Sequence, residues 1–320
     1  MSLAALPAAA LAWLGRQGTR AVAASIFLGL AVPPLAALFK PYVPEAIFAL
    51  LVLAFLRVDP RRLHGYAERP GLVIAATAWM MLVTPALLGG LFLALGLAER
   101  APGLFLALVL QACSAPLMAA PAFAALMGLD AALTLATLVL SMVVTPVTAP
   151  VFAHLFAGDL LTIPAPALGL KLFLLLAGSA LLAVLVRRVA GAARVEAQRE
   201  RIDGLNVVVL FIFAVAVMDG VAARFLADPL LVVGLIVLAF VLTILLLAAT
   251  TLVFARAGRD RAFALGLTAG NRNLGLMLAA TGAALPDTTW LYFGLAQFPI
   301  YLAPQMLQPL ARRVARSPSS

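Results

Sequence analysis

Apolar stretches closed by charge, proline or glycine recur along the whole chain, near residues 21–39, 44–56, 71–97, 101–126, 131–156, 167–186, 205–225, 229–254, 262–285 and 288–310. A hydrocarbon core about 30 Å thick needs roughly 20 apolar residues per crossing helix. The pattern therefore predicts an all-α polytopic membrane protein of ten transmembrane helices, the second unusually short. The longest polar segment, 187–203, is a loop after the sixth stretch and is too short for a domain, so 1–320 reads as a single transmembrane domain. Residues 3–14 are apolar but contain Pro7 and are followed, not preceded, by Arg16 and Arg20. A cleaved signal peptide has its positive region first, so this segment is expected to be a short interfacial helix.

Composition agrees: 65% of the 320 residues are hydrophobic and 11% are charged, where a soluble domain carries about 25% charged residues. A soluble enzyme is excluded. His64 and His154 are the only histidines, so neither a metal cluster nor a Ser/His/Asp set is expected, and no cofactor. Cys113 is the one cysteine and reads as a small packing residue. The net charge of +9 would point to nucleic acid in a soluble protein. Here the basic residues alternate with the stretches instead. Arg16 and Arg20, then Arg57, Arg61, Arg62 and Arg69, then Arg187, Arg188, Arg194, Arg199 and Arg201, then Arg256, Arg259 and Arg261, then Arg312, Arg313 and Arg316 all fall on one side. Only Lys40, Arg100 and Arg224 fall on the other. The positive-inside rule makes the rich side cytoplasmic, which predicts both termini in the cytoplasm of a bacterium's inner membrane and no nucleic-acid partner.

Two stretches differ from the Leu, Ala and Val background. The fourth reads Gln111-Ala112-Cys113-Ser114-Ala115-Pro116-Leu117-Met118-Ala119-Ala120-Pro121, with two prolines five apart in mid-membrane. Each proline lacks an N–H and crowds the preceding turn, so a break is expected. The ninth reads Leu267-Thr268-Ala269-Gly270-Asn271-Arg272-Asn273-Leu274-Gly275-Leu276. An arginine near the bilayer centre costs about 2.5–3.5 kcal/mol on insertion scales, so Arg272 requires a partner, a cavity or a ligand. It either carries the charge of a binding site or caps the carbonyls of a broken helix. Asn271 and Asn273 are open to the same two readings.

The interrupted stretches are the fourth of the first five and the fourth of the second five, which predicts two inverted five-helix repeats, 21–156 and 167–310, with a site at the midplane. Laying 108–120 over 265–277 pairs Gln111 with Thr268 and Ser114 with Asn271. Freed backbone is tolerated where it is buried in protein or lines a cavity, and a resumed helix N-terminus carries partial positive charge. Two such N-termini beside Arg272 make an anion site. The candidate substrate-binding residues are Gln111, Ser114, Pro116, Thr134, Thr268, Asn271, Arg272 and Asn273, with Thr137 and Ser141 beside Thr134 on the fifth stretch. Their hydroxyls can equally bond back to their own helix.

This pattern resembles the bile acid:sodium symporter (BASS) family. The resemblance lies in residues 268–276, similar to the family's Glu-x-Gly-x-Gln-Asn-x-x-Leu stretch, in the Cys-Ser-x-Pro-type break at Cys113, and in the Ser141-Met-Val-Val-Thr-Pro146 segment. It implies a panel of stretches one, two, six and seven rocking against a core of three to five and eight to ten. It also implies that the fourth and ninth cross as broken helices beside the substrate. The family's two sodium sites are not matched. Its Ser-Asn pair aligns with Ala119 and Ala120, its Glu with Thr268, its Gln with Arg272 and a further Gln near Met80, leaving Thr134 and Asn273 as matches. Alanine offers no side-chain oxygen to a hard cation that wants several. A family site of one Glu and two sodium ions sums to +1, and Thr268 with Arg272 also sums to +1. The expectation is therefore a sodium-independent carrier of a small organic anion, with Arg272 as a built-in cation, membrane lipid as its surroundings and no enzymatic activity. Asp219 and Asp130 leave proton coupling open; Lys171 can snorkel to the interface and has no expected role. The competing readings are a non-transporting anion sensor on the same fold, a sodium symporter with rearranged sites, and, through Cys113, a carrier of an arsenite-like species.

Overall fold

The computed structural model describes residues 24–57, 70–282 and 285–316; the expected interfacial helix over 3–14 and the basic residues Arg61, Arg62 and Arg69 lie outside them. In chain order the helices are α1 (24–31), α2 (Pro33–Phe39), α3 (Val43–Arg57), α4 (Pro70–Ala78), α5 (Thr84–Ala94), α6 (Leu97–Arg100), α7 (Pro102–Cys113), α8 (Ala120–Met127) and α9 (Ala131–Ala157). They continue as α10 (Ala165–Ala190), α11 (Ala192–Ala197), α12 (Arg199–Ala216), α13 (Val221–Ala227), α14 (Pro229–Val253), α15 (Arg259–Gly270), α16 (Leu274–Thr281), α17 (Asp287–Leu295) and α18 (Gln297–Arg316). Among the described residues there is no strand, and six helical runs are long and apolar enough to cross a membrane. These mark an all-helical, multi-pass membrane protein. Val143, Val147, Val151 and Leu155 form an exposed stripe at four-residue spacing on α9. Such a stripe is a liability in water and the ordinary surface of a helix in lipid.

The chain between the first two apolar stretches is helical. Lys40–Tyr42 is a single 3₁₀ turn joining α2 to α3, so Pro33–Arg57 runs as one crossing-length segment. Its prolines lie where a helix tolerates them: Pro33 and Pro34 open α2, Pro41 lies in the 3₁₀ turn and Pro44 follows Val43 at the start of α3.

The chain divides into two compact units, with the boundaries falling inside α10 and α14. The first unit is Met1–Val58 with Phe173–Val232. There α2 and α3 pack on α12, and Leu53, Leu56, Ala183 and Val195 close a small apolar core. Arg57 pairs with Asp203 at 2.7 Å, the Arg187 guanidinium donates to Leu56 O, and Lys40 pairs with Asp219 at 2.8 Å. Asp219 is thus engaged in an ion pair.

The second unit is Asp59–Leu172 with Val233–Ser320. It holds the third to fifth, ninth and tenth apolar stretches and most of the eighth, the grouping that the resemblance implies for a core. Residues 105–113 of α7 and 262–270 of α15 are buried throughout. Helix α9 packs on α4, α7, α8 and α15, and α7 packs on α5 and α17. Asp130 caps α9 by accepting from Leu133 N at 2.9 Å and also pairs with Arg261 at 3.5 Å. Gly266 and Gly270, one turn apart on α15, let it lie against α14: a Cβ on Gly270 would meet Thr243 O at 2.7 Å, and one on Gly266 would meet Thr251 and Leu247 O. Small residues at this spacing are how membrane helices approach closely.

Gly270→Ala should therefore force α15 off α14, costing about 1–3 kcal/mol and lowering the melting temperature. Gly90→Ala, whose Cβ would meet nothing within 4 Å, should be neutral or stabilising by up to about 1 kcal/mol. Thermal melts of the two variants in detergent check the contrast.

Candidate functional site: the crossing of two broken helices

Helix α7 stops at Cys113, Ser114 is extended (φ −71°, ψ 150°), and after a turn at residues 118–119 α8 begins at Ala120. Pro121 then occupies the first turn of α8, where a missing N–H costs nothing. Helix α15 stops at Gly270, Asn271 is extended (φ −98°, ψ 101°), and α16 begins at Leu274 with Asn273 as its N-cap. The two breaks meet. Pro116 and Arg272 form an isolated antiparallel bridge, with Leu117 N donating to Asn271 O and Asn273 N to Ala115 O, each at 2.8 Å. Both bonds flank the bridged pair, so Pro116 occupies the position of the ladder that needs no N–H.

Arg272 extends from this bridge and is 1% exposed, the largest fully buried side chain among the described residues. Its Nη1 donates to Ser114 O at 3.0 Å and to Met80 O at 3.2 Å. Ser114 O is free because its helix has ended. Met80 O is free for a different reason. Trp79–Val83 is a π-turn in which Thr84 N reaches back to Trp79 O, and residue 85 is proline. Neither the fourth nor the fifth residue onward can donate to Met80 O, and Arg272 does so instead. Carbonyl oxygens gathered on a positive group are the arrangement a hard cation would require.

Nε and Nη2 of Arg272 have no hydrogen-bond partner, and among the described residues no carboxylate pairs with it. Together they form the side edge of the guanidinium, the fork that takes a carboxylate bidentately. Buried and without a partner as well are Thr77 Oγ1, Thr137 Oγ1, Ser141 Oγ and Asn271 Oδ1.

Most of the other expected site residues are committed to the backbone. Thr134 donates to Asp130 O at 3.0 Å and Thr268 to Ala264 O at 2.7 Å, the back-bonding open to helical hydroxyls. Ser114 Oγ donates to Gln111 O at 2.8 Å, and Asn271 Nδ2 to Leu267 O at 2.8 Å. Asn273 Oδ1 accepts from Leu276 N at 3.0 Å. Gln111 Oε1 accepts from the buried Tyr292 hydroxyl at 2.5 Å. The amide nitrogens of Gln111 and Asn273 have no partner among the described residues. The breaks thus bring together Ser114, Pro116, Asn271, Arg272 and Asn273, while Thr134 serves the start of α9.

Sequence reasoning missed the π-turn and Tyr292. The signal for the first was Thr84-Pro85 inside the third apolar stretch; nothing marked Tyr292. No known protein-family model and no curated protein matches this chain.

Arg272→Met should strip donors from two buried carbonyls, costing about 2 kcal/mol or more. In a Pro85→Ala background residue 85 regains an N–H that can serve Met80 O. The same Arg272→Met change should then cost about 1 kcal/mol less. A double-mutant cycle of unfolding free energies reads the difference, and strict additivity would disconnect the proline from the arginine.

Proposed function

We propose that this chain is a secondary transporter of a small organic anion, a carboxylate, working by alternating access in the inner membrane of a bacterium with both termini in the cytoplasm. The carrying observation is Arg272, a buried guanidinium without a carboxylate partner whose Nη1 is fixed by Ser114 O and Met80 O and whose Nε/Nη2 edge is unused. An unpaired buried charge is costly unless a ligand completes it, and the unused edge has the geometry of a carboxylate. The amide nitrogen of Asn273 is a further donor at the same crossing.

On this reading the chain is a divergent relative of the bile acid:sodium symporters in which arginine has replaced sodium. Thr268 stands where the family has its Glu and is satisfied by its own helix. Arg272, where the family has Gln, lies among carbonyls as a fixed cation. The two halves 21–156 and 167–310 are inverted repeats. Supporting this, each interrupted pair is a 12-residue helix followed by an 8-residue one. Ser114 and Asn271, matched in the sequence overlay, are the capping residues that end the longer helix of each pair. The division of the chain into two compact units supports such a cycle. Asp130 and Asp219 are engaged in ion pairs, so protons are not the favoured coupling.

Counterflow of radiolabelled short-chain carboxylates in proteoliposomes tests the proposal. Exchange is expected at equal rates in sodium and in choline, and at least tenfold slower in Arg272→Gln. Saturable binding without exchange would make the protein a sensor, and exchange that requires sodium would refute the fixed-cation reading.

A further inference from the structure

Beyond the crossing backbone, the buried polar atoms without partners are nearly all donors. The Arg272 side edge offers Nε and Nη2, and Thr77, Thr137 and Ser141 each offer a hydroxyl. These groups lie on elements that meet at Met80. Arg272 binds Met80 O. Met80 packs in one apolar cluster with Val73 and Ala76 of α4, Leu133 of α9 and Ala269 of α15, with Ala136, Leu140 and Val144 of α9 against it. Thr137 lies one turn from Leu133 and from Leu140 on that face of α9, and Ser141 lies one turn beyond Thr137. Thr77 lies one turn before Met80 and Met81. Thr137 and Ser141 are both 0% exposed. In a transmembrane helix such hydroxyls ordinarily bond back to the preceding turn, as Thr145 does to Ser141 O at 2.6 Å. Thr137 and Ser141 do not.

A cationic edge and unpaired hydroxyls, carried by elements that meet at Met80 and without a carboxylate pairing the arginine among the described residues, are complementary to a small anion. A cation would be repelled, and a neutral ligand would leave the charge unmatched. We propose that the Arg272 side edge and the Thr137 and Ser141 hydroxyls form a buried site for a small inorganic monoanion of chloride size, the resting counterion of the arginine. The carboxylate of a transported substrate displaces it. The proposal rests on the reading of Arg272 as a fixed charge and adds an ion that nothing in the transport reading requires.

The test uses purified full-length protein in choline salts at constant ionic strength, with chloride titrated against methanesulfonate and melting temperature as the readout. A ligand that binds the native state alone raises stability saturably with its concentration. Chloride and bromide are expected to raise the melting temperature, with the effect absent in Arg272→Gln. Half-saturation should shift upward roughly tenfold in the Thr137→Val/Ser141→Ala double variant, as loss of hydrogen bonds to an ion implies. Should Arg272→Gln fail to fold, the hydroxyl variant carries the comparison alone. Equal melting in chloride and methanesulfonate, or an unchanged half-saturation in the folded hydroxyl variant, overturns the site. Adding acetate separates this proposal from the transport reading. Stabilisation by acetate without any chloride response removes the halide site and keeps the carboxylate carrier. A chloride response that no carboxylate competes away keeps the halide site and removes the carrier reading.

Discussion

Backbone carbonyls freed inside an apolar interior must find donors, and the architecture around the crossing follows from that requirement. Two helices stop in mid-stretch, and each leaves backbone groups without their intrahelical partners. Part of the demand is met by the breaks pairing with each other, through Leu117 N to Asn271 O and Asn273 N to Ala115 O. The rest falls to one side chain. Arg272 satisfies Ser114 O from the first break and Met80 O from the π-turn, joining three segments far apart in sequence through a single nitrogen. An uncharged amide could donate to both oxygens, but it would bring no positive charge to the crossing.

The same arrangement sets the electrostatics. Only Nη1 of the guanidinium is engaged, so the site keeps a positive edge with unmet donors. The structural role falls to Nη1, and Nε and Nη2 are left for the ligand-binding role that we propose. Fixing Nη1 on backbone orients the remaining edge without relying on flexible partners, which is what a recognition group requires. The glycines of α15 contribute indirectly: by letting α15 lie against α14 they set where the chain emerges at Asn271.

Much of this was legible in the sequence. The paired prolines of the fourth stretch and the Asn-Arg-Asn run of the ninth located both breaks, because proline removes a donor and a mid-membrane charge needs a reason to be there. The identity of the arginine's partners was not legible. Backbone oxygens have no sequence signature, and the proline responsible, Pro85, lies in a stretch that otherwise reads as unbroken helix. The hydroxyls were misleading for the opposite reason. Thr134 and Thr268 looked like ligands but bond to their own helices, whereas Thr137 and Ser141, with the same composition and setting, do not. That choice depends on neighbouring helices, which local pattern does not encode. The helical continuity of Pro33–Arg57 was likewise hidden, since Lys40 and Pro41 separate the first two apolar stretches in the sequence.

If the fixed guanidinium occupies the role of a bound cation, as we propose, sodium has no site to fill. Wild-type protein and Arg272→Gln would be melted across a titration of sodium against choline at constant ionic strength. A flat wild-type response and a lower melting temperature for Arg272→Gln at every point are expected. A saturable, sodium-specific rise in the wild type would contradict the proposal, because a metal site would then coexist with the arginine instead of being replaced by it.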